Sequence, residues 1–307
     1  MAEVVKDGRA SSESDDDSDR SSTLLPPATA AFSGYRPFPP VMNLYSNFTG
    51  VVSALKTQRL CGATPDDFLY LVELHFGYTP RGPLNFGQGF YLRNGTTIKD
   101  PILAAAGNEF PIPLLIMLFD PETAIKLPPA DLEKNPRDMV TETLHASASK
   151  DRGVAFRFGI EVGVKRRQRE EFEWRKIEDG GKSKGKGEQE PDGGQGHEGL
   201  GHTWYKLHRL ASNYLQHPGP SAPSSSSSPP PASPDEDGSV VAELSFRNVM
   251  NLKHIFKLEL KGAGLTGELG DRWRLMVVMT ALALHWLRQN GKTKKVTVGA
   301  AQKIHSK

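Results

Sequence analysis

A run of apolar residues near the C-terminal end constrains the fold more than any other feature. Between Leu275 and Leu287, thirteen residues, only Thr280 and His285 are polar. A helix over residues 273–287 is therefore apolar around its whole circumference and has to be surrounded. Thirteen residues span about 20 Å, against about 30 Å for the hydrocarbon core of a bilayer. The run predicts a buried core helix, and a membrane anchor or a partner-bound helix are the alternatives.

The residues that flank this run match the usual signals for helix ends. Asp271 is of a type that caps helix N-termini, and Arg288 suits the negative end of the helix dipole. Asn290 and Gly291 follow directly and provide a stop signal. We therefore expect the helix to begin at the Asp271 cap and to end at Asn290.

Most of the preceding chain has a period of two, which is typical of strands. Val154, Phe156, Phe158, Ile160 and Val162 alternate with other residues and predict one strand face. A second signal is Asn94-Gly95 between apolar runs, which predicts a tight hairpin within residues 89–98. Residues 53–60 favour a short helix. The predicted strand segments are 68–76, 89–98, 113–119, 139–145, 154–162, 172–177, 204–210, 240–246 and 255–260.

About nine consecutive strands with short connections and little helix predict a barrel or a sandwich rather than βαβ units. Three polar segments stand apart and are predicted to be disordered: an acidic, Ser-rich tail over residues 1–35 and two loop inserts at 178–201 and 216–238. A long insert adds little closure entropy, so both inserts are compatible with an intact sheet. The predicted organisation is one domain over 40–290, followed by a basic tail over 291–307 for which a solvated, frayed state is favoured.

The order of these elements resembles the Tubby C-terminal-like superfamily, and most closely its LURP-one-related branch and uncharacterised fungal Tubby-like domains. The features that carry the resemblance are the strand from Leu69, the hairpin at Leu92-Arg-Asn-Gly-Thr-Thr, the Asp100-Pro-Ile-Leu-Ala-Ala-Ala run, the strand from Val154, the Phe172-Glu-Trp-Arg segment and the terminal helix. The resemblance implies a mainly β fold: a closed antiparallel barrel of about twelve strands that encloses the hydrophobic C-terminal helix.

Composition excludes several classes of protein. A single cysteine, Cys61, excludes an internal disulfide framework and any multi-cysteine metal site. The first residues contain no apolar signal segment, so we expect a protein that is not secreted but cytoplasmic, nuclear or peripheral to a membrane. The net charge of +2 argues against a specific nucleic-acid footprint. His197, His202 and His208 lack companion ligands, and Cys61 with His75 or His145 lacks a nucleophile signature, so no metal, cofactor or catalytic residue is predicted.

One motif mimics a nucleotide site. Gly262, Gly264 and Gly267 spell G-x-G-x-x-G between a predicted strand and the terminal helix. No series of alternating strands and helices follows it, so a structural turn is the favoured interpretation. A nucleotide-dependent enzyme built on this turn remains the alternative function.

The candidate binding residues form a basic cluster in the region of the 172–177 strand. They are Lys165, Arg166, Arg167, Arg169, Arg175 and Lys176. Several cations on one turn can hold phosphate groups, although Glu170 and Glu171 lie beside them. The resemblance implies phosphoinositide binding, because Tubby-type domains bind such lipids. The expected function is a non-enzymatic binding or scaffold module whose partner is an anionic phospholipid or a protein.

Overall fold

A computed structural model describes residues 34–47, 57–77, 82–85, 87–108, 121–129, 138–149, 153–163, 168–177, 203–210, 239–247 and 253–305. Most of the predicted tail, the two predicted inserts and the predicted 113–119 strand lie outside these residues. The packed structure begins before residue 40, because Phe38 is buried and its ring contacts Tyr35 at 5.8 Å.

The described residues form a closed barrel in which each strand pairs with its neighbours in sequence. The strands are β1 (Val41–Ser46), β2 (Thr57–Cys61), β3 (Phe68–Phe76), β4 (Gln88–Arg93), β5 (Ile102–Gly107), β6 (Thr123–Leu127), β7 (Val140–Ser149), β8 (Gly153–Val162), β9 (Gln168–Ile177), β10 (Thr203–Arg209), β11 (Val240–Phe246) and β12 (His254–Leu260). Their order is that of a meander, and pairing of β1 with β12, for example Val41 opposite Glu259, closes it. The prediction of a closed antiparallel barrel is confirmed.

Side-chain alternation decides which face of each strand is buried. In β8, Phe156, Phe158 and Ile160 are fully buried, whereas Arg157 between them is exposed. Phe172 and Trp174 of β9 lie opposite Phe158 and Phe156 and are also fully buried. The regular period of two therefore fixes the inward face of the barrel.

Helices follow β12: α1 (Ala263–Thr266), α2 (Gly270–Gln289) and α3 (Lys295–His305). Helix α2 is buried from Trp273 to Leu287 apart from Arg274 and Trp286, and its side chains share one core with the inward faces of the strands. Two of its polar residues bond to strands of the barrel: Trp174 Nε1 donates to Thr280 Oγ1 at 2.9 Å, and Gln58 Nε2 lies 3.2 Å from His285 Nε2. The predicted core helix is therefore the interior of the barrel.

The two ends of α2 agree only in part with the sequence. The predicted Asp271 cap is wrong: Leu269 precedes the first helical residue without a side-chain cap, and Asp271 lies inside the first turn. At the other end, Asn290 and Gly291 stop the helix as predicted. Gly291 has φ of +69°, and the N–H groups of Gly291 and Lys292 donate to the carbonyls of Arg288 and Leu287 at 3.1 and 2.8 Å. This pair of bonds is a Schellman motif.

The C-terminal residues are more ordered than the sequence suggests. Helix α3 packs Val298 and Ala301 into buried positions, and Gln302 Oε1 accepts from the Ala148 N–H at 3.3 Å. The predicted frayed tail over residues 291–307 is therefore wrong for Lys295–His305, which form a helix that packs against β7 and β8. Its apolar residues at positions 298 and 301 are three apart, which places them on one helix face.

Two local predictions in the first half of the barrel are wrong. The tight hairpin at Asn94-Gly95 is a longer connection, because β4 ends at Arg93 and β5 begins only at Ile102. Asp100 Oδ2 accepts from the Thr97 N–H and hydroxyl at 2.7 and 2.9 Å, which stabilises an extra turn. The short helix expected over 53–60 is strand β2 from Thr57 onward, since pairing with β1 and β3 overrides local preference.

Candidate functional site

The direction of α2 distinguishes the two ends of the barrel. Even-numbered strands end where α2 begins, as shown by the Gly163 N–H after β8, which donates to the Leu269 carbonyl at 3.2 Å. We call this end the helix-start rim. Odd-numbered strands end where α2 ends, near Arg288, whose guanidinium lies 4.9 Å from the Phe246 ring. We call this end the helix-stop rim.

The six predicted cations do not form one cluster. Lys165, Arg166 and Arg167 lie outside the described residues, in the connection from β8 to β9. Arg169 is near the start of β9 at the helix-start rim, whereas Arg175 and Lys176 are near its end at the helix-stop rim. Six residues of strand separate Arg169 from Arg175 by about 20 Å, so one phosphate group cannot contact both.

The Arg169 guanidinium forms ion pairs with two carboxylates. Its two terminal nitrogens donate to Glu142 at 3.1 and 2.7 Å, and one of them lies 3.5 Å from Glu161. The hydrogen bonds to Glu142 raise the pKa of the Arg169 guanidinium. Its charge is therefore largely neutralised within the barrel wall.

An exposed aromatic and aliphatic pair lies at the helix-stop rim. Trp204 and Ile177 are opposite each other on β10 and β9, and they are 41% and 37% exposed. Trp174 and Trp273 are by contrast fully buried. A large apolar pair at a barrel rim is the kind of surface that marks a contact site.

Cations surround this pair. Arg175 and Lys206 form the next row across β9 and β10, and Lys257 lies beyond Ser245, which is opposite Trp204. We define the rim patch as Ile177 and Trp204 together with Arg175, Lys206, Arg247, Lys253 and Lys257, and with Lys176, which is exposed at the same rim on the other face of β9.

Three carboxylates pair with or lie opposite these cations, so among the described residues the patch has six cations against three acids. Arg175 Nε donates to Glu173 at 2.7 Å, and Lys257 Nζ lies 2.5 Å from Glu259. Glu243 lies opposite Lys206 in the ladder and 3.6 Å from Lys261. Among the described residues, cations thus outnumber carboxylates at this rim.

The electrostatics of two side chains reflect this balance. Although burial alone would raise it, hydrogen bonds from Arg175 and Arg157 hold the pKa of Glu173 below its ordinary value. The pKa of His254, whose ring stacks on Tyr45 at 4.8 Å, is lowered first by burial and then by the positive charges of Arg247 and Lys257. The field near the β11–β12 end of the patch is thus positive.

The glycine motif has a packing role in this structure. A Cβ on Gly264 would lie 2.4 Å from the Val241 carbonyl oxygen and 2.8 Å from the Trp273 ring, so the backbone of α1 needs a glycine there. All strand pairs of the described barrel are antiparallel, and the parallel βαβ unit that a dinucleotide fingerprint requires does not occur among them.

The residues considered for a metal site or for a nucleophile and its base do not come together among the described residues. His208 Nδ1 lies 2.9 Å from Ser239 Oγ, while His197 and His202 lie outside the described residues. Cys61 is opposite Phe68 at the helix-start rim, and seven residues of β3 place His75 about 23 Å further along the strand. Burial raises the pKa of the Cys61 thiol, which makes it a weaker nucleophile. Within the described ranges, no three His, Cys, Asp or Glu side chains are arranged to hold a metal ion.

Sequence reasoning missed the rim patch. The alternation in residues 204–210 predicted a strand but did not show that the tryptophan faces outward, because either face of a strand can be the buried one. The signal that could have found it is the alternation itself: Tyr205 and Leu207 occupy the buried face, which leaves Trp204 and Lys206 on the other.

Among the described helices, none is long and apolar enough to cross a membrane. Comparisons of the chain with protein-family models, with curated proteins and with solved structures found no match.

Proposed function

We propose that this protein is a non-enzymatic, intracellular binding or scaffold module of the Tubby-like type that contacts anionic, phosphoinositide-containing membrane surfaces. The observation that carries the proposal is the rim patch, in which six cations lie at the same end of the barrel as exposed Trp204 and Ile177. The closed barrel around an apolar helix is the architecture that the resemblance implies, and it supports the Tubby-like part of the proposal.

The chemistry of the patch suits a membrane interface better than a soluble polyanion. An indole ring prefers the headgroup level of a bilayer, and lysines and arginines around it are attracted by anionic headgroups. Each such cation adds about 1 kcal/mol near an anionic surface. A soluble polyanion would use the cations but would leave the exposed Trp204–Ile177 pair in water.

The test is binding of the full chain to vesicles. Vesicles of neutral phosphatidylcholine are compared with vesicles that also contain phosphatidylserine or a phosphoinositide, at low and high salt. We expect binding only to the anionic vesicles, and steep loss at high salt because the Debye length falls from about 10 Å at 0.1 M to about 3 Å at 1 M. Tryptophan emission should shift to the blue on binding, and Trp204→Phe should remove most of that shift.

Substitutions locate the contact. Lys176→Gln combined with Arg247→Gln should weaken binding by about 2 kcal/mol, roughly thirtyfold. Trp204→Ala should weaken it by roughly tenfold or more, because an apolar side chain is no longer buried in the interface. The matched control is Leu265→Ala, which shortens a 50% exposed apolar residue beside the opposite rim and should leave binding unchanged.

Other results would redirect or overturn the proposal. Loss of binding in Arg166→Ala with Arg167→Ala, but not in the patch variants, would place the membrane contact at the β8–β9 connection instead. Binding that does not respond to salt would remove the electrostatic account. A saturable rise in thermal stability with NAD or ATP, without vesicle binding, would favour the nucleotide-dependent alternative.

A further inference from the structure

A cleft at the helix-start rim lies at the opposite end of the barrel from the rim patch. Its volume is about 250 Å³, and its walls are the segment before β1, the start of β3 and the connection between β4 and β5. The lining side chains include Arg36, Leu69, Tyr70, Asn94, Thr96, Thr97 and Asp100. This volume is below the range of about 300–1,000 Å³ that is usual for drug-sized ligands, so the cleft suits a smaller molecule.

Hydrogen bonds hold the walls of the cleft in place. The Tyr70 hydroxyl donates to the Arg36 carbonyl and fixes the segment before β1. The Leu71 N–H donates to the Gly95 carbonyl at 2.8 Å, and the Asn94 N–H donates to the Pro101 carbonyl at 2.8 Å. The cleft is therefore built before any ligand arrives, which reduces the cost of ordering on binding.

Two residues of opposite charge line this cleft and form no ion pair with each other. The Arg36 side chain is exposed and forms no ion pair within the described part of the chain. Asp100 uses Oδ2 to accept from Thr97, and no cation of the described residues pairs with its carboxylate. The cleft is thus lined by one arginine and one aspartate, together with the polar residues Asn94 and Thr96.

We propose that this cleft binds a small zwitterion, specifically a free α-amino acid. The α-carboxylate would pair with the Arg36 guanidinium through charge-assisted hydrogen bonds, and the α-ammonium would donate to Asp100. A phosphate group would match Arg36 but would be repelled by Asp100, and a neutral sugar would leave both charges uncompensated. A zwitterion is the class of small molecule that satisfies both groups at once.

The test uses the full chain and alanine as the probe, with chemical shifts of the backbone amides followed during a titration. Saturable shifts are expected for the connection over residues 94–101. N-acetylalanine, which lacks the ammonium, and alanine amide, which lacks the carboxylate, should each bind roughly tenfold to a hundredfold more weakly. Inorganic phosphate should bind no better than these two.

Arg36→Gln removes one charge from an exposed side chain and should weaken alanine binding by roughly tenfold or more while the fold is retained. Asp100→Asn removes the charge of the carboxylate and should also weaken alanine binding. If the loss of its contacts with Thr97 unfolds the connection between β4 and β5, Arg36→Gln still tests the proposal. Lys99→Gln is the matched control, because Lys99 is an exposed cation of the same connection but does not line the cleft.

Equal binding of alanine and N-acetylalanine, or an equal effect of the Arg36 and Lys99 substitutions, would overturn the proposal. Vesicle binding through the rim patch should be the same in the Arg36 variant, so the two proposals fail separately.

Discussion

Single side chains decide how α2 sits inside the barrel. The bond from Trp174 to Thr280 and the contact between Gln58 and His285 join the helix to β9 and to β2 at fully or nearly fully buried positions. Apolar packing alone has no strong preference for one rotation of a helix that is apolar on every side. Because an unpaired buried polar group costs about 1–3 kcal/mol, the two pairs stabilise one rotation over the others.

Gly264 is a second residue on which packing depends. We expect Gly264→Ala to lower the free energy of unfolding by about 1–3 kcal/mol, because the new Cβ would lie 2.4 Å from the Val241 carbonyl oxygen and 2.8 Å from the Trp273 ring. Chemical denaturation measures the change. Gly299→Ala is the control: it lies within α3 with nothing within 4 Å, and it should stabilise the protein by up to about 1 kcal/mol. A Gly264 variant as stable as the parent would show that α1 does not approach β11 this closely.

His285 makes stability depend on pH. Burial, with a smaller effect of Arg288, lowers its pKa from 6.5 to about 3. As the pH falls below 6.5, the imidazole of the unfolded chain takes up a proton that the folded chain cannot accept until about pH 3. Above pH 6.5, this histidine therefore does not change the free energy of unfolding with pH. Below pH 6.5, it lowers the free energy of unfolding by up to about 1.4 kcal/mol per pH unit.

Urea unfolding at pH 7, 5.5 and 4 measures this slope. His285→Leu should be less stable at pH 7, because Gln58 loses its partner, but its stability should decline less between pH 6.5 and 4. Val296→Ser, which changes an 84% exposed position without a titratable group, should keep the slope of the parent protein. The same slope in the His285 variant would mean that this imidazole is solvated in the folded state.

At the level of elements, α3 extends the folded unit beyond α2. Deletion of residues 294–307 should lower the free energy of unfolding by about 2–3 kcal/mol, mainly because buried Val298 and Ala301 are lost from the surface of β7 and β8. The thermal unfolding midpoint and the denaturation curve test this. A matched double substitution, Val296→Ser with Lys303→Gln, changes exposed positions of the same helix and should have little effect. An unchanged midpoint in the deletion would support the solvated tail instead.

The strands differ in how far their sequences predict them. β8, β11 and β12 have regular alternation, and their predicted bounds match the structure to within one residue. β5 was not predicted, because Ala104, Ala105 and Ala106 carry no alternation and favour helix when taken locally. The short strands β2 and β6 were missed as well, since their stability comes from pairing on both sides rather than from their own residues.

The rim patch is harder to predict than the barrel. Its members come from the ends of β9 and β11, the start of β10 and the region of β12, which are separated by long stretches of chain. Only the register between these strands brings Trp204, Ile177 and Lys257 into one row. The sequence therefore indicates basic residues and strands but not the surface that they form together.

On the scale of the whole molecule, the two rims carry different charge patterns. Of the described arginines at the helix-start rim, several are paired with carboxylates, among them Arg209 with Glu170 at 2.6 Å, Arg272 with Glu161 at 3.2 Å, and Arg169 with Glu142 at 2.7 Å, whereas Arg36 is not. At the helix-stop rim, the cations of the patch outnumber the nearby acids that the structure describes. A barrel with this asymmetry is expected to approach an anionic surface with the helix-stop rim first.

The position of α2 in the chain also bears on how the protein is made. A ribosome produces all twelve described strands before it produces the helix that fills them, and β1 pairs with β12 only after that last strand has been synthesised. Until then, the inward phenylalanines and Trp174 of a nascent chain have no helix to cover them. The closed core can therefore form only after α2 has been synthesised, and until then the inward faces of the strands are exposed.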